Sequence, residues 1–229
     1  MKSHRLRTAC AWASVAVALL ALGGAGALAL RGLAVESGQA RAYVTQGHEA
    51  LAKGDRASAA LSFERARLLA PRADFVRSTL AESGQHPVGT PVARAAAWLA
   101  PHEWSCLAVA FGWLTGLSLA AAVAVGLGKG SKAGRAARRA ALGSAVAFVL
   151  TIGGTVASTA ASRALAVVMK PTGALVSPYE AAGATADLRA GEVVVVGKRY
   201  GDFFEVRGSE GELGWVSAGT LRSVVGAGT

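Results

Sequence analysis

WSCLAVAFGWLTGLSLAAAVAVGL (residues 104–127), GKGSKAGRAARR (128–139) and AALGSAVAFVLTIGGTVASTAAS (140–162) follow one another without a break. The outer two stretches carry no charged residue, and each is longer than the ~20 residues a helix needs to cross a hydrocarbon core. The middle stretch carries Lys129, Lys132, Arg135, Arg138 and Arg139 among glycines and alanines. The pattern predicts two transmembrane helices joined by a basic loop. Short basic loops are retained on the cytoplasmic side, so these five residues set the topology and would meet anionic lipid headgroups there.

A further uncharged run, Thr8 to Leu30, follows Lys2, Arg5 and Arg7. Residues 1–30 therefore read either as a signal peptide, with Ala25-Gly26-Ala27 or Ala27-Leu28-Ala29 as a cleavage site, or as an N-terminal membrane anchor. With the N-terminus and the 128–139 loop both cytoplasmic, residues 31–103 and 163–229 lie on the outer side of a bacterial cytoplasmic membrane. Hydrophobic residues make up 52% of the 229, and the mean hydropathy of +0.40 suits several spans. The net charge of +10 could suggest nucleic acid. Its distribution argues against that: the N-terminal seven residues contribute +3 and the loop +5, residues 31–103 carry only +2, and residues 163–229 are neutral. Basicity is thus a topology signal, and no nucleic-acid partner is expected. Trp98 and Trp104 flank the start of the 104–127 span, where interfacial aromatics gather. Gly112 with Gly116, and Ser158 with Ser162, give small-residue spacings suited to helix packing.

Residues 31–83 are helical in pattern, with helices expected from about Ala40 to Ala52, Arg56 to Ala70 and Asp74 to Ser83. Lys53-Gly54-Asp55 supplies a turn. Small Ala59 and Ala66 allow close approach, Phe63 fills the seam, and Pro71 ends the second helix. This pattern resembles the 34-residue tetratricopeptide repeat. Tyr43 and Gly47 stand at its first-helix aromatic and close-contact positions, Gly54 at its turn, and Ala59, Phe63, Ala66 and Pro71 at its second-helix signature. Gln46 and Ala50 depart from the usual leucine and aromatic residue. A lone repeat cannot bury its face, so it must lean on the third helix, the membrane segment or a partner.

Residues 84–103 contain Pro87, Pro91 and Pro101 and read as a linker with an interfacial helix over Val92 to Leu99. From residue 163 the pattern changes to short β-type runs: Leu165 to Met169, Ala174 to Ser177, Val193 to Val196, Phe203 to Val206 and Leu213 to Val216, with turn residues in every gap. Five such strands suggest a small all-β barrel. The details resemble the bacterial SH3 family: Ser177-Pro178, Leu188-Arg189-Ala190-Gly191-Glu192, Gly201-Asp202-Phe203-Phe204-Glu205-Val206, Gly211-x-x-Gly214-Trp215-Val216, and Leu221 as closing residue. Trp215 reads as a core anchor first and a ligand contact second. Tyr179 and Phe203, with Trp215, form the candidate ligand groove.

The fold class is therefore a multi-domain membrane protein with an all-α tetratricopeptide-like segment, transmembrane helices and a small SH3-like barrel. This order of parts, with Trp98-Leu99-Ala100-Pro101-His102-Glu103-Trp104 leading into the hairpin, resembles the BatE-like proteins of the bacterial aerotolerance (Bat) group. That resemblance implies a scaffold or adaptor beside von Willebrand factor A-type membrane proteins. The bacterial SH3 resemblance implies instead a cell-wall sensor or tether that meets peptidoglycan. Neither brings catalytic residues or a cofactor.

The residues themselves do not suggest an enzyme. His4, His48, His86 and His102 have no partner at metal-ligand spacing. Gly128-Lys129-Gly130 and Gly197-Lys198-Arg199 lack the Ser or Thr of a phosphate loop, and no G-x-S-x-G elbow occurs. Gly126-Leu127-Gly128 opens a dinucleotide-like pattern, but Ser131 stands where its third glycine belongs. Cys10 and Cys106, both in apolar surroundings, suggest neither a disulfide framework nor a redox pair.

Overall fold

The computed structural model describes residues 37–83, 88, 90–126, 132–208 and 211–226. The apolar run 8–30 and Lys129 lie outside them. Helices come first: α1 over residues 37–52, α2 Arg56–Leu69, α3 Asp74–Glu82, α4 Pro91–Ala96, α5 Pro101–Gly126 and α6 Lys132–Ala164. Seven strands follow: β1 Leu165–Val168, β2 Thr172–Leu175, β3 Ala184–Leu188, β4 Val193–Tyr200, β5 Phe203–Arg207, β6 Glu212–Ser217 and β7 Leu221–Ser223. The described chain divides into two compact units. One is His102–Thr155; the other combines Val35–Pro101 with Val156–Thr229.

Pro101–Ala121 and Arg139–Ala164, which fall largely in the first unit, mark helices long and apolar enough to cross a membrane. Neither is a core helix of this chain: the most apolar window of the first is 0% buried and that of the second 11%. Leu107, Val109, Trp113 and Leu114 on α5, and Leu142, Val146, Val149 and Leu150 on α6, are all exposed. The two helices touch where one is small and the other large. A Cβ on Gly154 would come within 2.4 Å of the Trp104 ring, and one on Gly112 within 3.1 Å of Phe148. Gly116 meets nothing within 4 Å, so only half of the Gly112–Gly116 pair is used. The expected 128–139 loop is also shorter than its sequence suggested. Lys132, Arg135, Arg138 and Arg139 fall on the first turns of α6, because lysine, arginine and alanine are good helix formers that carry the helix through Gly134.

In the second unit α1, α2 and α3 pack on one another. Any Cβ at Gly47 would lie 2.2 Å from the Phe63 ring, so α1 and α2 meet at glycine against phenylalanine. Phe63 is 2% exposed and its ring meets His48 edge-on at 5.4 Å. Ala40, Ala66 and Val76 bring all three helices together, with Tyr43 and Phe75 at the margin. Gly54, at φ +79°, makes the α1–α2 turn. Pro71 follows the end of α2.

Asp55 starts α2 by accepting the Ser58 amide at 2.9 Å. Hydrogen bonds from the Ser58 hydroxyl and amide hold its carboxyl below the ordinary carboxylate value. A lowered folded-state pKa means that this stabilisation is present above the unfolded carboxylate pKa and is lost as pH falls through the lower folded value. Asp55→Ala should therefore cost about 1 kcal/mol at neutral pH. In chemical denaturation the gap between variant and wild type should close in acid.

The strands pair antiparallel in the order β3-β2-β6-β5-β4-β1-β7. The sheet is open: β3 and β7 end the order and do not pair with each other, and there are seven strands where five were expected. One face carries a core of Ala166, Val168, Ala174, Leu188, Val194, Val206 and Val216. The other face of β1 and β4, carrying Leu165, Val167 and Val193, packs on Ala60 and Leu61 of α2 together with Val224. Side chains alternate along a strand, so one run, Leu165–Val168, feeds two cores and all four residues are buried. The Arg65 Nε donates to the Val224 carbonyl at 3.1 Å. The β3–β4 turn closes against α2: Gly191, at φ +89°, would place a Cβ 2.9 Å from the Arg56 carbonyl oxygen. The helical segment and the sheet, expected as separate modules, thus share one core.

Candidate functional site

Of the residues predicted to bind, Phe203 and Trp215 lie on the sheet face opposite the Val206–Val216 core, where strand register brings them together. Gly201, at φ +56°, turns β4 into β5 and sets Tyr200 directly across from Phe203. Phe203 pairs in turn with Ser217, and Glu205 with Trp215. Trp215 also faces Leu175 of β2. Residues directly opposite share a face, and Phe203 and Glu205 alternate with the core-side Phe204 and Val206. Phe203 and Trp215 are therefore diagonal neighbours on one surface, within reach of each other as large side chains. Tyr179, in the loop after β2, sets its ring 6.3 Å from that of Tyr200 at 64°. The result is an aromatic strip of Tyr179, Tyr200, Phe203 and Trp215.

Two findings depart from expectation. Trp215 is half-buried on the outer face, and the core position beside it belongs to Val216, which is 1% exposed. The indole is therefore available as a contact surface and is not the core anchor. Tyr200, not among the residues predicted to bind, is 56% exposed and completes the strip next to Tyr179 at 60%. A hydrogen bond with Tyr200, and then the charge that residue can carry, push the Tyr179 phenol above its ordinary value. The Tyr179 hydroxyl thus stays protonated at neutral pH and can donate or accept. Around the strip, Glu205 lies 3.6 Å from Arg207 and accepts the Lys198 amide at 3.4 Å. Flat aromatic faces edged by hydroxyls and mixed charge suit stacking on sugar rings or on peptide side chains.

A second concave feature, unforeseen from sequence, is a cleft of about 870 Å³ between the helices and the β3–β4 turn. Phe63 and Val193 are among its apolar lining, and Arg56, Arg189, Glu82, Asp187 and Glu192 bring both signs of charge to it. The Glu192 carboxylate accepts the Arg189 amide at 3.1 Å, which stiffens that rim. Its lining is drawn from separate stretches between Leu51 and Val193, so no contiguous motif announces it.

The remaining candidates do not converge. His48 is packed on Phe63, His102 stands in the first turn of α5, and Cys106 is an exposed free thiol on α5. Among the described residues no three of His, Cys, Asp and Glu gather in a way that could hold a metal ion. His4, Cys10 and His86 lie outside the described residues. No family model, curated protein or solved structure matches the chain.

Proposed function

We propose that this chain is a non-enzymatic scaffold anchored in a bacterial cytoplasmic membrane, offering the aromatic strip to a protein partner on the extracytoplasmic side. In this reading the helical segment is a tetratricopeptide-like hairpin and the sheet an SH3-like domain. The likeness in module order to BatE-like proteins of the Bat group makes a von Willebrand factor A-type membrane protein the partner to seek. The observation that carries the reading is the strip itself: three aromatics on one sheet face, with Tyr179 of the adjoining loop beside them, on a sheet whose neighbouring strands are braced by helices. Rigid aromatic anchors of this kind dominate binding energy at interfaces.

Co-purification of the full chain from mild detergent tests it. A membrane partner should be recovered with the wild type, and Tyr200→Ala with Trp215→Ala should weaken its retention by roughly thirtyfold, the effect of losing a hot spot of about 2 kcal/mol. Recovery of no membrane partner, or unchanged retention by the double variant, rejects the scaffold. Sidedness is tested separately by reporter fusions at Ala81, Lys132 and Thr229, which should read out, in and out.

The exposed Tyr179–Tyr200 pair also favours a second reading, a tether that stacks on peptidoglycan sugars or stem peptides. Purified sacculi should then retain the wild type and release the double variant. Absence of wild-type binding removes this alternative.

A further inference from the structure

We propose that a groove of about 430 Å³ beside α4 binds one anionic phospholipid, with an acyl chain along its apolar floor and the phosphate at Arg94. The inference rests on the membrane-anchored reading above and names a ligand that reading does not require. Leu68, Pro71, Leu80, Val88, Ala97 and Trp98 form much of the floor, and Ala161, Ser162 and Leu165 close it from the α6–β1 junction.

Three observations choose a lipid as the occupant. The first is position. Ala97, Leu99, Ala100 and Pro101 line a small cavity together with Ser158 and Ser162. The first residue of one membrane-length helix therefore lies beside the last turns of the other, at the groove's edge. Any bilayer crossed by α5 and α6 must have its interface near this point. The second is surface chemistry. Val92 is 70% and Trp98 67% exposed, a cost in water that an interface removes, and Arg72 stacks over the Trp98 ring at 5.9 Å. Tryptophan at the headgroup level is the usual anchor of membrane proteins.

The third observation is charge. The groove lining includes Arg67 and Arg94 and no acidic residue. Arg67 is bridged to the buried Glu64 at 2.7 Å, so it is already neutralised. Arg94 is exposed on α4 and has no ion-pair partner among the described residues. Arg163, next to the groove-lining Ser162, is exposed as well. An apolar channel with an uncompensated guanidinium at its rim matches a lipid whose headgroup is a phosphate diester with net negative charge. A zwitterionic headgroup would leave part of that charge unmet.

The test uses the full-length protein reconstituted in nanodiscs of phosphatidylcholine containing phosphatidylglycerol. After gentle re-extraction, retained lipid is read by native mass spectrometry. The wild type should hold one phosphatidylglycerol. Arg94→Ala should weaken its retention about fivefold and Arg94→Glu about thirtyfold, from the usual contribution of one basic residue at an anionic surface. Phosphatidylcholine retention should not change in either variant. Ala97→Trp, which fills the floor, should lower retention of both lipids. Wild-type retention of phosphatidylglycerol by Arg94→Glu overturns the proposal, as does full retention by Ala97→Trp. If the chain does not enter nanodiscs at all, the membrane-anchored reading fails and the lipid site fails with it. If it enters and the variants behave as wild type, only the lipid site fails.

Discussion

Val167→Asp should destabilise the helices and the sheet together, by about 3–5 kcal/mol, because it places an unpaired carboxylate between two packed layers. Val167 is 0% exposed. In the ladder it pairs with Val193 on one side and Arg222 on the other. Its side chain packs in the cluster formed by Ala60, Leu61, Leu165 and Val224. None of those four cluster residues offers a hydrogen-bond donor from its side chain, and the Arg222 side chain across the ladder is exposed, so the carboxyl must protonate, draw Arg222 inward or force the layers apart. Val167→Ala removes two methyl groups without adding charge and should cost about 2 kcal/mol. Hydrogen exchange on the full chain in detergent distinguishes the shared core from two separate modules. With a shared core, amides of α2 and β5 lose protection in parallel in both variants. Loss confined to the sheet, with α2 unchanged, would show that the helices stand alone.

That coupling was not legible in the sequence, although its ingredients were. The run Leu165–Val168 reads plainly as a strand, but four consecutive apolar residues do not say what covers each face. That depends on Ala60 and Leu61, about a hundred residues earlier in the chain. Local seams were easier. Gly47 against Phe63 lies within one helical hairpin, where both residues are close in the sequence. Strands β3 and β7 escaped notice for separate reasons. Ala184–Leu188 is an edge strand with mostly exposed residues and no β-branched apolar side chain. Leu221–Ser223 has only three residues. Tyr200 was hidden by the Gly-Asp turn beside it: turn chemistry marked the bend, while the cross-strand partner that places its ring on the aromatic face emerges only from the register. Trp215 was misplaced for a related reason. A tryptophan between apolar residues reads as core, yet alternation allows only one of Trp215 and Val216 to face inward, and the smaller residue fits the closed side.

The glycine before that tryptophan is fixed by the backbone, and Gly214→Ala should cost about 3–5 kcal/mol. Gly214 sits at φ +133°, a region that a residue with a Cβ rarely enters. A Cβ there would lie 2.4 Å from the Leu175 carbonyl oxygen and 2.8 Å from the Thr185 Oγ1. Neither neighbour can retreat freely. Leu175 is paired with Trp215 across β2 and β6. The Thr185 hydroxyl lies 2.8 Å from the Leu213 carbonyl and 2.9 Å from that of Ala174, to which it can donate, and so ties β3 to both strands. The substitution must therefore either strain β6 or release the β2–β3 hairpin from the sheet. Release would also remove Leu175 from beside Trp215, so the aromatic strip should lose its geometry along with stability. Gly219→Ala provides the control, since that glycine has no contact within 4 Å and no positive φ, and it should stay within about 0.5 kcal/mol of wild type. Denaturation followed by tryptophan emission, compared with a Trp215→Phe background, reads both effects. A Gly214→Ala protein as stable as the Gly219→Ala control would mean that the β2–β6 junction yields easily, and the strip could not then be a rigid binding surface.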